Sequence, residues 1–534
     1  MDFIGFHTTN KHIVTSENHQ LELPLYLDDL IEICNNKTAV FYDLDGSVAS
    51  ICKHLELTKE QCGRLLDKGK LYIAPFALTY YPQRFFSVDR IGGANHPYVN
   101  FANMNQVGYG EVHYTEDNSI EDSFKKAKEA KQTAEEVYKI FQKLEIANGS
   151  IVSPTSAFLK KHSFNWPTVD DLPIEVSKLA YEAVTGQWFE AYSLGHLGND
   201  NNTCAYDYDL NASFLSIMAD LLDIRRGQWL HLKELDSNTL NNAFYGVATG
   251  QLTTDAEFHP FAKQIKHSDE KDDKDNYTPT GTFPKTMTIQ DLRFLDKHKL
   301  GTYKYNDGWF WLPKGKQYQP YRGVMMNLWQ KRQGTTGREK LIIQRIYSSI
   351  YGRSLERHES TGFGELFNPI IGLTTLNTNA LKVTDACLSN NIVPLAIMAD
   401  GFISSQQCNL PISTKPGEWK LNAQGKCLIA GTAAVAFQNG KESAELAIDY
   451  NDLMQQIKDS PKSKEYKRTR WSPVTLALAL ERNFDELGEI KPIDRTLKID
   501  GESKRHYGIK PKNGDDLINK NFESTAWDYS LLNI

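Results

Sequence analysis

One stretch limits what this chain can become: Tyr206-Asp207-Tyr208-Asp209-Leu210-Asn211-Ala212-Ser213-Phe214-Leu215-Ser216-Ile217-Met218. Aromatics alternate with acids at period two, as in a half-buried strand. The pattern then turns at Asn211-Ala212-Ser213 into an apolar helical run from Phe214 to Leu222. Asp209 therefore stands at the end of a strand that feeds directly into a helix. That position suits a carboxylate holding a divalent cation, with Phe214 one helical turn beyond it. An acid before an apolar helix is common, so the stretch has force only if a second acid is delivered beside it.

The totals leave room for such a site. The chain has 534 residues, enough for two to four packed units, and its apolar and charged fractions are those of an ordinary globular protein. No apolar run reaches the ~18–20 residues needed to span a bilayer. The opening Met1-Asp2-Phe3-Ile4 carries no basic segment before an apolar core, so no secretory signal is expected. Seven cysteines lie scattered without a C-x-x-C pair, which argues against a disulfide framework and a zinc site and for a reducing, cytoplasmic setting. A net charge of −7 argues against simple coating of nucleic acid. It does not exclude one basic groove, and Lys125-Lys126-Ala127-Lys128, Lys462 to Arg470 and Lys504-Arg505 are local cationic clusters. Each taken alone reads as a solvated helix face or loop.

Along the chain, Thr38 to Ser47 reads as a strand ending in an acidic turn, and Leu71 to Tyr81 as a strand pair. Residues 121–147 read as a helix with Ala127, Ala130, Ala134, Val137 and Phe141 on one face. Ser268 to Asn276 is charged without an apolar anchor and reads as a mobile surface loop. Gly301 to Leu312 reads as a hairpin, with turn residues between aromatic runs. Val324 to Arg332 and Arg338 to Ile350 are two helical stretches broken by Gly334-Thr335-Thr336-Gly337. Ile392 to Ser405 is apolar, then Asp400-Gly401, then apolar: a tight hairpin with one carboxylate at its tip.

Taken in order, these pieces resemble the motifs of family B DNA polymerases. The opening stretch resembles D-x-x-S-L-Y-P-S, with Asp209 as the metal-binding acid, Phe214 in place of Tyr and Ser216 as the final Ser. The segment Val184-Thr185-Gly186-Gln187 resembles the template-touching Y-x-G-G, keeping Gly186. The second helix resembles K-x-x-x-N-S-x-Y-G through Ser349, Tyr351 and Gly352, with Ser348 for Asn and Gln344 where the Lys stands. Arg332 and Lys340, with Arg345 adjacent, lie where compact phage members carry further cations, and the resemblance gives them the triphosphate. Asp400 aligns with the second acid of Y-x-D-T-D-S, and Met398 replaces the first. Lys426 keeps the Lys of K-x-Y while Leu428 replaces its Tyr, and Lys504-Arg505 resembles a thumb pair that grips phosphates. At the start, Asp43-Leu44-Asp45 imitates the exonuclease D-x-E without its Glu, and residues 121–147 lack the Y-x-x-x-D pair.

The resemblance implies a mixed α/β right-hand polymerase with palm, fingers and thumb after a ribonuclease-H-like exonuclease-type N-domain. Its expected bounds are 1–160 for a degenerate exonuclease-like domain, 161–200 for a connecting segment, 201–322 and 353–450 for the palm, 323–352 for the fingers and 451–534 for the thumb. It implies two-metal transfer of dNTPs to a primer 3′-hydroxyl without proofreading. Two Mg2+ ions, or Mn2+ in their place, would rest on Asp209, the Leu210 carbonyl and Asp400. Phe214 would lie under the sugar and block a 2′-hydroxyl. The partners are primer-template DNA and dNTPs, with no membrane and with room for a protein partner, in the cytoplasm of the host if the chain is phage-encoded. Two other readings stay open: a polymerase relative that only binds nucleic acid or a partner, and primer-independent, protein-primed or untemplated synthesis. No obvious terminal-protein-binding insertion lies between the first motif and the fingers.

Overall fold

A computed structural model describes residues 2–34, 37–82, 85–91, 98–103, 114–115, 119–146, 154–162, 166–192, 195–197, 204–256, 258–266, 274–278, 280–358, 362–431, 434–439, 450–460, 465–498, 505–507 and 524–526. The chain forms two compact units, each assembled from separated segments. The first takes Met1–Phe164, Lys331–Ile346 and Lys467–Arg495, and the second takes the remainder. Both mix helices and strands, as expected.

The first unit is built on an eight-stranded sheet. Its order is Gln20–Leu21, Ile13–Thr15, Phe3–Thr8, Thr38–Phe41, Tyr98–Asn103, Phe85–Arg90, Phe76–Tyr81 and Lys70–Ile73. The pairings around Thr38–Phe41 are parallel. The helix Ile120–Lys143, capped by Ser119, buries Ala127, Ala130, Ala134, Val137 and Phe141, the face expected from their spacing. It crosses Phe3–Thr8 so closely that a Cβ on Gly5 would lie 2.0 Å from the Ala127 carbonyl. The predicted strand from Thr38 ends at Phe41, and a helix runs from Leu44 to His54. Val474, Leu476, Ala479 and Leu487 sit in this unit's core. The segment 451–534, expected as one thumb, therefore divides, because its apolar residues around the helix Leu476–Glu481 pack on the helices Leu44–His54 and Lys59–Lys68.

The second unit carries two larger sheets. One, of five antiparallel strands, has the order Trp419–Gly425, Ala205–Leu210, Gly401–Ser404, Ala396–Met398 and Phe189–Ala191. The other has the order Gly227–Leu232, Thr302–Pro313, Tyr245–Thr254 and Gly281–Thr288. The hairpin expected over 301–312 is instead one continuous strand, Thr302–Pro313. It pairs with a neighbour on each edge, and the Asn306-Asp307-Gly308 turn signal goes into a register shift opposite Thr249/Gly250. Two full ladders outweigh local turn chemistry. Of the charged stretch 268–276, residues 268–273 lie outside the described residues. Residues 274–276 are not loop but part of a strand, Lys274–Tyr277, paired with Lys263–Lys266. The helix Pro369–Ser389 is buried on most of its surface and packs against the helices Ile174–Ala183, Ser213–Asp220 and Ile289–His298. All seven cysteines are free. Among the described residues no helix is long and apolar enough to cross a membrane.

A polar residue is trapped in the first unit. His7 is 1% exposed, and among the described residues neither ring nitrogen has a hydrogen-bond partner. Its ring lies among those of Tyr42 and Tyr114. Burial, and then the positive charges of Lys126 and His12, hold it down to about 3. Below about pH 6.5 the unfolded chain takes up a proton that the folded chain refuses, so this residue's contribution is lost as pH falls. His7→Phe should lose about 2 kcal/mol less stability than wild type between pH 7 and pH 5, read by urea unfolding. Parallel pH profiles for the two proteins would show that His7 is not held neutral.

Candidate active site

The five-stranded sheet delivers the two acids foreseen from sequence to one place. In the antiparallel ladder Asp209 is opposite Gly401 on one side and Lys420 on the other. Alternation then sends Tyr208, Leu210, Phe402 and Trp419 to the opposite face. All four are buried in one cluster, with Tyr208–Phe402 and Phe402–Trp419 ring centroids 5.4 Å apart. One face of the sheet is thus anchored in aromatic core, and the other presents the carboxylate. Burying each such ring contributes roughly 1.5–3 kcal/mol, so the acid's position is backed by strong packing.

Asp400 arrives on a two-residue turn. Met398 pairs with Gly401, and Ala399 and Asp400 form the turn between them, Ala399 with φ +54°. The predicted tight hairpin is borne out, though Gly401 is the first residue of the return strand, not a turn residue. It must be glycine for room: a Cβ there would lie 2.6 Å from the Tyr208 carbonyl. The Leu210 amide donates to the Asp400 carbonyl at 3.0 Å, tying the two motifs through their main chains. The Asp400 carboxyl is hydrogen-bonded to that of Asp209. Burial first, and then the Asp209 charge, push its pKa well above the usual carboxylate range.

Beyond Leu210 the chain reverses through Asn211 and Ala212, the latter with φ +45°. The loop 413–418 holds this turn. The Asn211 amide donates to the Glu418 carbonyl at 2.9 Å and its side chain to the Ser413 carbonyl at 2.6 Å. The helix Ser213–Asp220 then starts, placing Phe214 against Tyr351 with ring centroids 4.3 Å apart and planes 11° apart. The Gln187 side-chain amide donates to the Tyr351 hydroxyl. Burial and the Asp400 charge raise the Tyr351 pKa. Gly186, beside Gln187, is exposed and has φ +84°, a conformation that favours glycine. A cavity of about 30 Å3 is lined by Gly186, Gln187, Trp188, Phe214, Asn377 and Asn379 among others, room for a water or two.

Three residues at this site were not singled out from sequence. Asn379 is 4% exposed; its amide donates to the Ala399 carbonyl at 2.9 Å, and its carbonyl accepts from the Ser213 hydroxyl at 2.6 Å. One side chain thus clamps the Asp400 turn to the start of the Phe214 helix. The Lys420 ammonium lies 2.5 Å from Asp209 Oδ2, and the Asn422 amide 3.3 Å from the same oxygen. No sequence signal marks these roles, because each depends on register between distant segments.

The other expected residues are placed less decisively. Gly352 is exposed in the helix Gly337–Arg353, one residue before its end, and a Cβ there would meet nothing. Lys426 is exposed just before the strand Cys427–Gly431. Lys504 lies outside the described residues, and Arg505 begins the short strand Arg505–Tyr507. In the first unit, Arg332 Nη2 donates to Gln344 Oε1 at 3.3 Å, and Lys340 is exposed.

The residues present fit a divalent cation. Two carboxylates close enough to share a hydrogen bond, one of them driven toward its neutral form, are the arrangement that a cation would stabilise by replacing the proton. Among the described residues no group of three or more His, Cys, Asp or Glu is placed to hold an ion, so these two acids and main-chain carbonyls would be the protein's contribution.

No protein-family model matches the chain, and no curated protein sequence does. Solved structures do match. Phi29 DNA polymerase in an orthorhombic crystal form is 12% identical with a TM-score of 0.60, over 93% of this chain and 99% of that one. The chain has the fold of Phi29 DNA polymerase. The same polymerase complexed with primer-template DNA and incoming nucleotide substrates gives the same identity, TM-score and coverage. Its complex with single-stranded DNA gives 10% and 0.59. The expected likeness to compact family B polymerases is thus borne out at the level of fold.

The Asn379 clamp can be tested without any substrate. Asn379→Ala leaves the buried Ser213 hydroxyl and the Ala399 carbonyl short of a partner and should cost roughly 2–4 kcal/mol by urea unfolding. A cost below about 0.5 kcal/mol, the range of surface substitutions, would show that the clamp is not what holds the two turns.

Proposed function

We propose that the protein is a DNA polymerase that adds deoxynucleotides to a primer 3′-hydroxyl, using Asp209 and Asp400 as its metal-binding acids. The observation that carries this reading is the convergence of those carboxylates on one face of the five-stranded sheet, next to the Phe214–Tyr351 stack. The fold shared with Phi29 DNA polymerase supports it. In this reading four strands of the five-stranded sheet belong to the palm, residues 201–322 and 353–450, and the fifth, Phe189–Ala191, comes from the connecting segment 161–200. The helices Arg322–Gln333 and Gly337–Arg353 form the fingers, and the unit containing residues 1–160 descends from an exonuclease domain. The C-terminal residues from 451 supply the thumb in part, with Lys504 and Arg505 on duplex phosphates.

Asp209, Asp400 and the Leu210 carbonyl would hold Mg2+ or Mn2+, which when bound acidifies the primer hydroxyl and stabilises the leaving pyrophosphate. The chain's own groups position the reactants. The Phe214 ring, fixed by Tyr351, forms a flat floor for the deoxyribose and leaves no space for a 2′-hydroxyl. Gln187 fixes Tyr351 in turn. Arg332 and Lys340 are assigned to the triphosphate from their order in the chain, with Gln344 holding the Arg332 guanidinium. Gly186, Gly352 and Lys426 are assigned to template and primer.

The absence of proofreading belongs to the same reading. Asp43 accepts from the Tyr114 hydroxyl at 2.9 Å and Asp45 from the Tyr80 hydroxyl at 2.7 Å. Burial pushes Asp43 up to about 6. Acids already hydrogen-bonded by phenol hydroxyls, with Asp45 where D-x-E has its Glu, are poor ligands for a metal pair.

A second reading, a relative that binds nucleic acid without synthesis, is favoured by Met398, which stands where the family has its first hairpin acid and packs against apolar core. Primer extension decides. Wild type with Mg2+ and dNTPs should extend a primer, and Asp209→Asn and Asp400→Asn should each fall by ~10³-fold or more. Phe214→Val should raise ribonucleotide incorporation by about 10-fold or more, and the wild type should leave a single-stranded 3′ end undigested. Undiminished extension by Asp400→Asn would overturn the assignment, and binding without incorporation would carry the second reading.

A further inference from the structure

Lys420 occupies a place that the proposed chemistry does not use. It is directly opposite Asp209 in the ladder, so both side chains rise from the same face of the sheet. Its ammonium is 2.5 Å from Asp209 Oδ2. The register of the two strands slips just beyond this pair: Tyr208 is opposite Leu421, but Asp207 is opposite Ala423. Asn422 is the extra residue, and this bulge lets its amide reach the same carboxylate oxygen at 3.3 Å. Bulges next to functional sites re-aim side chains in this way. Two residues of one strand, Lys420 and Asn422, thus converge on a single oxygen of an acid that also meets Asp400.

The pair is only half-built as a structural salt bridge. The Lys420 side chain is 37% exposed, and an ion pair that open to water holds its partners only weakly, by up to about 5-fold in equilibrium terms. The amine can therefore leave Asp209 for solvent at little cost, pivoting on its flexible stem, while the Asn422 amide remains. A divalent cation brings twice the charge to the same oxygen and can bond to Asp400 as well. We infer that Lys420 is a resident counter-ion of the metal site. It holds the Asp209 carboxylate while no divalent cation is bound, yields it when one arrives, and so sets the concentration at which the site fills. This inference rests on the reading of Asp209 and Asp400 as metal-binding acids. Lys420 is a positioning residue, acting through Asp209 and not on the nucleotide.

The test uses Mn2+ alone, titrated into the full-length protein with free Mn2+ read by electron paramagnetic resonance. Wild type should bind Mn2+ in a manner abolished by Asp209→Asn. Lys420→Met should bind up to about 5-fold more tightly, because a competing unit charge has gone. Lys420→Arg, which keeps the charge, should stay within about 3-fold of wild type. In the wild type, acylation of the Lys420 amine by a succinimidyl ester, read by peptide mass spectrometry, should rise several-fold when Mn2+ is added. Asp209-dependent binding that Lys420→Met leaves unchanged or weakens would overturn the inference and leave the metal site standing. So would Lys420 reactivity indifferent to Mn2+. Mn2+ binding indifferent to Asp209→Asn would overturn the metal site itself, and the inference with it.

Discussion

The acid pair depends on a register. In the ladder between Ala205–Leu210 and Gly401–Ser404, Asp209 faces Gly401, and the turn just before Gly401 carries Asp400. A one-residue slip would send every side chain of one strand to the wrong face. What prevents the slip is the other face, where Tyr208, Leu210, Phe402 and Trp419 are locked in apolar packing. The acids are placed by hydrophobic burial on the far side of their own strands, and Gly401 is small because the Tyr208 main chain leaves no space there.

Holding two carboxylates in one place costs stability, and the structure spreads that cost. Asp400 is driven toward its neutral form, Lys420 neutralises Asp209, and Asn422 supplies a further donor. Two alanines, Ala399 beside Asp400 and Ala212 in the turn after Asp209 and Leu210, sit in the left-handed region that disfavours a Cβ. Both turns are tied to the surrounding structure, Ala399 by the Asn379 amide and the Asn211-Ala212 turn by the 413–418 loop. Strain stored on both sides of an acid pair and held by a buried clamp is what a pre-organised cation site requires.

Much of this was legible in the amino-acid sequence, for a physical reason. Asp209 and Asp400 each announce themselves locally, one through the switch from period two to a helical run, the other through an Asp-Gly between apolar strands. The helix over 121–147 was equally plain from its alanine stripe. What could not be read was pairing. Phe214 and Tyr351 meet across a long span of chain, and so do Asn379 and Ala399. Lys420 carries no local signal; only the ladder sets it opposite Asp209. The continuous strand over 302–313 was misread because its Asn-Asp-Gly signal is overruled by partners on both edges. Nothing in the local pattern of residues 474–487 says which core they fill, and they pack in the N-terminal unit.

The most direct test of the central claim is an anomalous difference map at the manganese edge, from crystals of the full chain soaked in Mn2+ with a non-hydrolysable deoxynucleoside triphosphate. The account predicts density bridging the Asp209 and Asp400 carboxylates, with the Lys420 amine withdrawn from Asp209. Manganese bound elsewhere, or the two carboxylates still joined to each other and to Lys420 with no metal between them, would contradict it.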